Sequence, residues 1–145
     1  RLTKAEIGCI KSHYNVLLNT KSELTLILED DFEFCGDFDN ELQKCLNQLP
    51  SDFEGLWLGG RVIGYESEYS DNLNRIKSTS GAYGYIIHSR FIPKVLEALS
   101  REDKLADYAI SSVFRNVFRS KKNLVLHRAG ISTIKNVFVD YKDLR

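Results

Sequence analysis

The stretch LILEDD, Leu26 to Asp31, decides the fold prediction, because a short apolar run ends there in three adjacent carboxylates. Short runs rich in Leu and Ile are typical of strands buried on both faces of a parallel sheet. In open α/β sheets, ligands bind beyond the carboxyl ends of the strands. Three carboxylates at that position repel one another unless a cation or basic groups compensate their charge. The stretch therefore predicts an α/β domain with an acidic site suited to Mg²⁺ or Mn²⁺ bound to phosphate oxygens.

The same carboxylates have a second interpretation. An acidic cluster after a strand also suits a solvated turn or the region of a helix N-cap. A calcium loop of the EF-hand type is excluded by spacing. If Asp31 opened such a loop, Cys35 would stand at the fifth position and Leu42 at the position of the final Glu. The metal site and the solvated turn both stay open.

Length and charge restrict the possible classes of protein. The 145 residues suit one domain over 1–145 with an apolar core, and we expect this domain to be incomplete at its N-terminus because the chain begins at Arg1. Lys plus Arg number 20, as do Asp plus Glu, so nothing indicates nucleic-acid binding. No apolar run is long enough to span a bilayer. The three cysteines are widely spaced, which predicts reduced, mostly buried thiols rather than disulfides or a zinc site.

Apolar periodicity predicts alternating helices and short strands, as in an α/β fold. A capping box formed by Thr3 and Glu6 opens a helix that runs to about Leu18. The segment Arg61–Asn74 is polar and without clear periodicity, which predicts a loop. The other predicted elements are strands over 24–28, 56–58, 85–87 and 124–126, and helices over 37–49, from Ser89 to about Leu99, and from Asp107 with an apolar stripe to Phe118.

Four features outside the acidic stretch are candidates for chemistry. Asp107 is either a helix N-cap or a general base that accepts a proton from a sugar hydroxyl. His127 ends a strand, and its imidazole can complete a carboxylate metal site near Asp31. His13 lies on the apolar side of the first helix, where a hydrogen-bonded core residue is the commoner role. Gly81–Gly84 either lets a ligand approach the backbone or serves a strand entry that needs small residues.

Hydrolase mechanisms fit less well. The chain has no GxSxG elbow for a Ser-His-Asp triad. Asp31 and Asp107 could supply the two carboxylates of a glycosidase, but three adjacent carboxylates suit a metal better.

Taken in order, the motifs resemble those of glycosyltransferase family 25, the group of lipopolysaccharide, lipooligosaccharide and procollagen galactosyltransferases. Leu2–His13 (LTKAEIGCIKSH) resembles the family signature L-[ST]-x-G-E-[IL]-G-C-x-x-S-H, and Leu26–Asp31 matches its ILEDD. Weaker similarities cover 56–59, 81–87 and 105–108. The chain departs from the family at Lys4-Ala5, where a small residue and Gly are usual, and at Leu105-Ala106, where Pro-Val is common.

The resemblance implies a GT-A-like fold, with a mixed, mostly parallel sheet flanked by helices and without its first βα units in this chain. It also implies a nucleotide-sugar donor such as UDP-galactose, a glycan acceptor such as lipooligosaccharide, and Mn²⁺ or Mg²⁺. The implied metal ligands are Glu29, Asp31 and His127, and Asp107 is the implied base of an inverting transfer. The implied donor-binding residues are Asp30, Gly81, Tyr83, Gly84 and His13.

Two other functions stay open. One is a non-catalytic glycan- or partner-binding domain on a decayed transferase fold, and the other is a metal-dependent phosphohydrolase that uses the same acidic cluster. A bacterial family member is expected in the cytoplasm, with peripheral membrane association through its acceptor, and a eukaryotic member in the endoplasmic reticulum lumen. Unpaired cysteines favour the cytoplasm.

Overall fold

The computed structural model describes the backbone of residues 1–132 and 137–139, and the side chains of residues 1–130. The helices are α1 (Lys4–Leu18), α2 (Phe38–Gln48), α3 (Ile92–Ser100) and α4 (Ala106–Ser112), with a 3₁₀ turn over Ser89–Phe91. The strands are β1 (Leu24–Leu28), β2 (Phe32–Phe34), β3 (Gly55–Trp57), β4 (Arg61–Glu68), β5 (Leu73–Ser80), β6 (Gly84–His88), β7 (Val117–Ser120), β8 (Val125–His127), β9 (Gly130–Ser132) and β10 (Val137–Val139). The predicted single domain over 1–145 also includes residues outside this description.

A six-stranded sheet in the order β1-β6-β3-β7-β5-β4 forms the centre of the fold, and β2–β8 and β9–β10 form separate antiparallel pairs. The predicted α/β class, a mixed sheet flanked by helices, is confirmed. The predicted parallel majority is wrong, because among the described strands only β3 and β7 pair in parallel. β1 lies at an edge of the sheet and pairs with β6 alone, and Ile27 is the only one of its five side chains that is buried, so the expectation of a strand buried on both faces of a parallel sheet is wrong.

The segment predicted as a loop, Arg61–Asn74, instead contains β4 and the turn into β5. The two strands form an antiparallel hairpin that begins with Arg61 opposite Ser80. β4 is an edge strand with mostly exposed side chains, so its sequence carries no apolar alternation. Sequence periodicity reports a strand only where one of its faces is buried, and this strand lacks that signal.

Two helix predictions need correction at their ends. The helix expected from Asp107 to Phe118 stops at Ser112, because Val117 and Phe118 are buried in β7 between β3 and β5. Ser89 opens a 3₁₀ turn that the His88 side chain caps, so Ser89 is not the N-cap of α3. In contrast, the capping box of Thr3 and Glu6 is present as predicted.

The apolar core lies on both faces of the sheet. On one face, α1, α3 and α4 pack against one another and cover Trp57 and Tyr85. On the other face, α2 and β8 cover Leu56 and Ile86, which are the residues next to Trp57 in β3 and next to Tyr85 in β6. Successive residues of these two strands therefore point to opposite sides, as pleating requires. Among the described residues, no helix combines the length and the apolar character needed to span a lipid bilayer.

Gly59 lets β8 pack against the end of β3, and its replacement tests this packing. A Cβ at Gly59 would overlap the backbone carbonyl oxygen of Val125 and lie 2.8 Å from Cε2 of Tyr83. We expect Gly59→Ala to lower the free energy of unfolding by about 2–3 kcal/mol, because backbone cannot yield as a flexible side chain does. In the matched control Gly8→Ala, the new Cβ would meet nothing within 4 Å. That control should stabilise α1 by about 0.5–1 kcal/mol. Urea denaturation followed by circular dichroism measures both values, and equal stability of the two variants would contradict the packing.

Candidate functional site

The acidic stretch lies in a turn at the carboxyl end of β1. The Glu29 N–H donates to the Tyr83 carbonyl at 3.2 Å, which fixes the start of the turn beside β6. After the turn, β2 pairs with β8 and brings His127 opposite Phe32. The Arg128 N–H then donates to the Asp31 carbonyl at 2.6 Å. The strands on both sides of the turn therefore determine where its carboxylates lie.

Glu29 points into the protein, toward α1. Its Oε1 lies 3.1 Å from Nε2 of His13, and Nδ1 of His13 lies 3.0 Å from the Tyr85 hydroxyl. His13 is 5% exposed and Tyr85 is fully buried. Burial raises the pKa of Tyr85, and the charges of Glu29 and Cys9 raise it further. His13 is therefore a hydrogen-bonded core residue that orients Glu29.

Asp31 points away from Glu29, toward β8. Its Oδ2 lies 2.8 Å from Nε2 of His127, and its Oδ1 is buried without a hydrogen-bond partner among the described residues. Burial raises the pKa of the Asp31 carboxyl, the charges of Glu29 and Asp30 raise it further, and His127 opposes this shift. A buried carboxylate oxygen without a partner is destabilising unless a donor or a cation reaches it.

Of the predicted metal ligands, Asp31 and His127 lie together, whereas Glu29 is directed at His13, so the structure does not bring all three to one point. The unpartnered oxygen of Asp31 and the exposed carboxylate of Asp30 are hard ligands of the kind that Mg²⁺ and Mn²⁺ prefer. Glu29, the third predicted carboxylate, already has Oε1 within hydrogen-bond distance of His13. Asp31 is therefore the best placed of the three to hold the ion.

Asp107 lies in the first turn of α4 and holds the turn that precedes β6. Its Oδ2 accepts a hydrogen bond from the Gly81 N–H at 2.8 Å, and its Oδ1 accepts one from the Tyr108 N–H at 2.9 Å. The N-cap of α4 is Leu105, so Asp107 is not the N-cap. Gly81 has φ +93°, a conformation that favours glycine. The carboxylate is thus oriented by two backbone groups.

Cys9 lies on α1 beside Glu29. Its thiol lies 4.0 Å from Oε1 of Glu29. Burial raises the pKa of this thiol to about 11, with further contributions from the charges of four carboxylates: Glu29, Asp107, Asp31 and Asp30. We refer to those four residues as the acidic cluster. The N-terminal half of α1 contacts the end of β1 through Cys9 and Glu29, and Asp107 at the start of α4 contacts the turn before β6.

Gly84 and Tyr83, two predicted donor-binding residues, are both buried. A Cβ at Gly84 would lie 2.7 Å from side-chain atoms of Val125, so the missing side chain makes room for β8. The Tyr83 ring packs edge-on against His127, with centroids 5.9 Å apart. In this structure Gly84 lies against Val125 of β8, and Tyr83 packs against His127 of the same strand.

Sequence reasoning missed Cys9 and Tyr85 as members of the site. Cys9 and His13 are four residues apart, which places them on one face of a helix, and this spacing was an available signal. Cys9 is half-buried, Cys45 is buried and Cys35 is exposed, all as free thiols, so the expectation of mostly buried thiols is met by Cys45 alone. Tyr85 carries no local signal, because its partner His13 lies 72 residues away.

Sequence comparisons point to one family. A family profile described as "Glycosyltransferase family 25 (LPS biosynthesis protein)" matches residues 1–76, which include the turn of Glu29–Asp31 but neither Asp107 nor His127. Procollagen galactosyltransferase 1 of Danio rerio is 30% identical over 109 residues, 67% of this chain and 18% of that protein. A "Glycosyltransferase 25 family member" of Drosophila melanogaster is 31% identical over 106 residues, 67% of this chain and 17% of that protein. Procollagen galactosyltransferase 2 of Homo sapiens is 36% identical over 64 residues, 40% of this chain and 10% of that protein. The chain spans less than a fifth of the length of these relatives.

Proposed function

Because this chain belongs to glycosyltransferase family 25, we propose that it carries the metal-binding and base residues of an inverting galactosyltransferase. One observation carries the proposal: Asp31, at the carboxyl end of β1, has a buried oxygen without a described partner, beside His127. A divalent cation is the partner that the hard oxygen ligands of the acidic cluster favour. Glu29 and His127 contribute by holding the shape of this site.

The proposed metal role is electrostatic. Asp31 and Asp30 would hold Mn²⁺ or Mg²⁺, which would supply charge stabilisation for the departing nucleoside diphosphate. Asp30 is exposed in the turn and is our candidate for contact with the donor. Gly81 is a second candidate for donor contact, because Asp107 fixes its backbone beside the cluster.

Asp107 is the proposed general base. Each carboxylate oxygen has two lone pairs, so one lone pair on each oxygen remains after the bonds from Gly81 and Tyr108. In a direct displacement, an acceptor hydroxyl gives its proton to Asp107 as its oxygen bonds to the anomeric carbon. The bond from that carbon to the diphosphate breaks, and the nucleoside diphosphate leaves with the electron pair.

The relatives suggest the substrates. Their names include procollagen galactosyltransferase, and the family description includes lipopolysaccharide biosynthesis. We therefore propose UDP-galactose as donor and a glycan such as lipooligosaccharide as acceptor. The protein would then act in the cytoplasm and associate peripherally with the membrane through that acceptor. For a eukaryotic source, the same proposal gives a collagen-type acceptor and activity in the endoplasmic reticulum lumen.

Calorimetric titration of UDP-galactose into the full-length protein tests the proposal, first with Mn²⁺ and then with EDTA. We expect binding that requires the metal and is lost in Asp31→Asn. Absence of binding by a folded protein would contradict the proposal and favour a glycan-binding domain without catalysis. Release of phosphate or free sugar at the same rate without an acceptor would instead favour a phosphohydrolase.

A further inference from the structure

Cys9, His13 and Glu29 bring three metal-ligand atoms together beside the acidic cluster. Cys9 and His13 lie one turn apart on the same face of α1, and Glu29 reaches them from the end of β1. The Cys9 sulfur, a His13 ring nitrogen and a Glu29 oxygen all lie within 4.8 Å of one another. Within this set, Oε1 of Glu29 is 3.1 Å from Nε2 of His13 and 4.0 Å from the sulfur.

These separations are close to those of tetrahedral zinc. Zinc binds thiolate sulfur at about 2.3 Å and imidazole nitrogen or carboxylate oxygen at about 2.0–2.2 Å, which places neighbouring ligand atoms about 3.3–3.6 Å apart. The two separations from Glu29, 3.1 and 4.0 Å, lie on either side of that range, and the sulfur and the ring nitrogen lie within 4.8 Å of each other, so side-chain shifts of up to about 1 Å bring all three atoms to zinc distances. Three protein ligands leave a fourth position for water.

Tyr85 supplies the support that a metal-binding histidine normally has. A ligating imidazole donates its other ring N–H to an oxygen, which fixes the tautomer and leaves the first nitrogen free for the metal. The Tyr85 hydroxyl lies 3.0 Å from Nδ1 of His13, and a tyrosine hydroxyl can accept as well as donate. His13 is 5% exposed and Tyr85 is fully buried, so the ligand nitrogen is held in place.

We propose that Cys9, His13 and Glu29 form a zinc site whose occupation inhibits sugar transfer. A thiolate and an imidazole select Zn²⁺ over Mn²⁺ and Mg²⁺, whereas the oxygens of Asp30 and Asp31 select the harder ions. Binding forms a sulfur–zinc bond, and the thiol proton leaves to solvent. Inhibition rests on the proposed function. Zinc bound to Glu29 adds positive charge two residues from Asp31, and this charge repels the divalent ion that Asp31 is proposed to hold.

Cobalt absorption tests the site without any turnover. Co²⁺ titrated into metal-free full-length protein should give a thiolate-to-cobalt charge-transfer band at one equivalent, and Zn²⁺ should abolish that band. Cys9→Ser should remove the band, and the matched control Cys35→Ser should keep it, because Cys35 is the exposed thiol. A band that survives Cys9→Ser, or that depends on Cys35, would overturn the proposal, as would the absence of any band.

Two further variants separate this proposal from the transferase proposal. Tyr85→Phe keeps the three ligands and should weaken Zn²⁺ binding about 10- to 100-fold, as loss of a supporting hydrogen bond does. Unchanged affinity would refute the supporting role of Tyr85. Asp31→Asn should keep the cobalt band while it loses metal-dependent donor binding, and loss of both would refute separate sites. Thermal unfolding of each metal-free variant checks that the fold is retained.

Discussion

Asp31→Asn is expected to reduce sugar transfer by roughly 10²–10³-fold, the largest loss from any single change in the turn after β1. The substitution keeps an oxygen at the same place, which can still accept a hydrogen bond from Nε2 of His127. In the proposed mechanism it removes the negative charge that would hold the cation, and with it the stabilisation of the departing diphosphate. Initial rates of UDP-galactose turnover with Mn²⁺ measure the effect.

The control for Asp31→Asn is Glu33→Gln. Glu33 is an exposed carboxylate in β2, two residues further along the chain. It has no place in the acidic cluster, so its neutralisation should leave the rate within about twofold, as surface charges that are screened by solvent do. If Asp31→Asn turned over substrate as fast as Glu33→Gln, the cation would not be held by Asp31. Thermal unfolding of both variants excludes loss of fold as the cause.

The sequence predicted the elements that bury an apolar stripe or begin with a specific cap. The capping box of Thr3 and Glu6 marks the start of α1, and the predicted strand 24–28 coincides with β1. Strand direction and edge position were not predictable, because both depend on partners far away in the sequence. β4 shows this well, since its exposed residues acquire order only by pairing with β5. Val117 shows a different ambiguity: its apolar side chain suits a helix or a buried strand equally, so the sequence did not reveal that it lies in β7.

The site was only partly predictable for a related reason. Asp31 and His127 meet, as expected from two strand ends at one edge of the fold, although the strands are β2 and β8 outside the central sheet. Glu29 was grouped with Asp31 because they are neighbours in sequence. The turn between them sends Glu29 to His13 and Asp31 to His127, so one acidic motif serves two different environments. Only the three-dimensional path of the turn reveals this division.

Asp107→Asn is expected to lower kcat by roughly 10²–10⁴-fold while the dissociation constant for UDP-galactose changes little. The Asn side-chain oxygen can still accept a hydrogen bond from the Gly81 N–H, so the turn before β6 is retained. What the variant loses is the ability to take up a proton. Steady-state kinetics with saturating donor, combined with calorimetric titration of UDP-galactose, separate the two effects.

Two further variants, Asp103→Asn and Asp107→Ala, serve as controls for the effect of Asp107→Asn. Asp103 is an exposed carboxylate just before α4, and its neutralisation should leave kcat unchanged. Asp107→Ala removes the hydrogen-bond acceptor of the Gly81 N–H as well as the base, so it should lower kcat and also weaken donor binding. If Asp107→Asn weakened donor binding as much as Asp107→Ala does, Asp107 would act by shaping the Gly81 turn and not as the base. If Asp107→Asn lowers kcat without weakening donor binding, while Asp107→Ala does both, proton transfer is the step that this carboxylate performs.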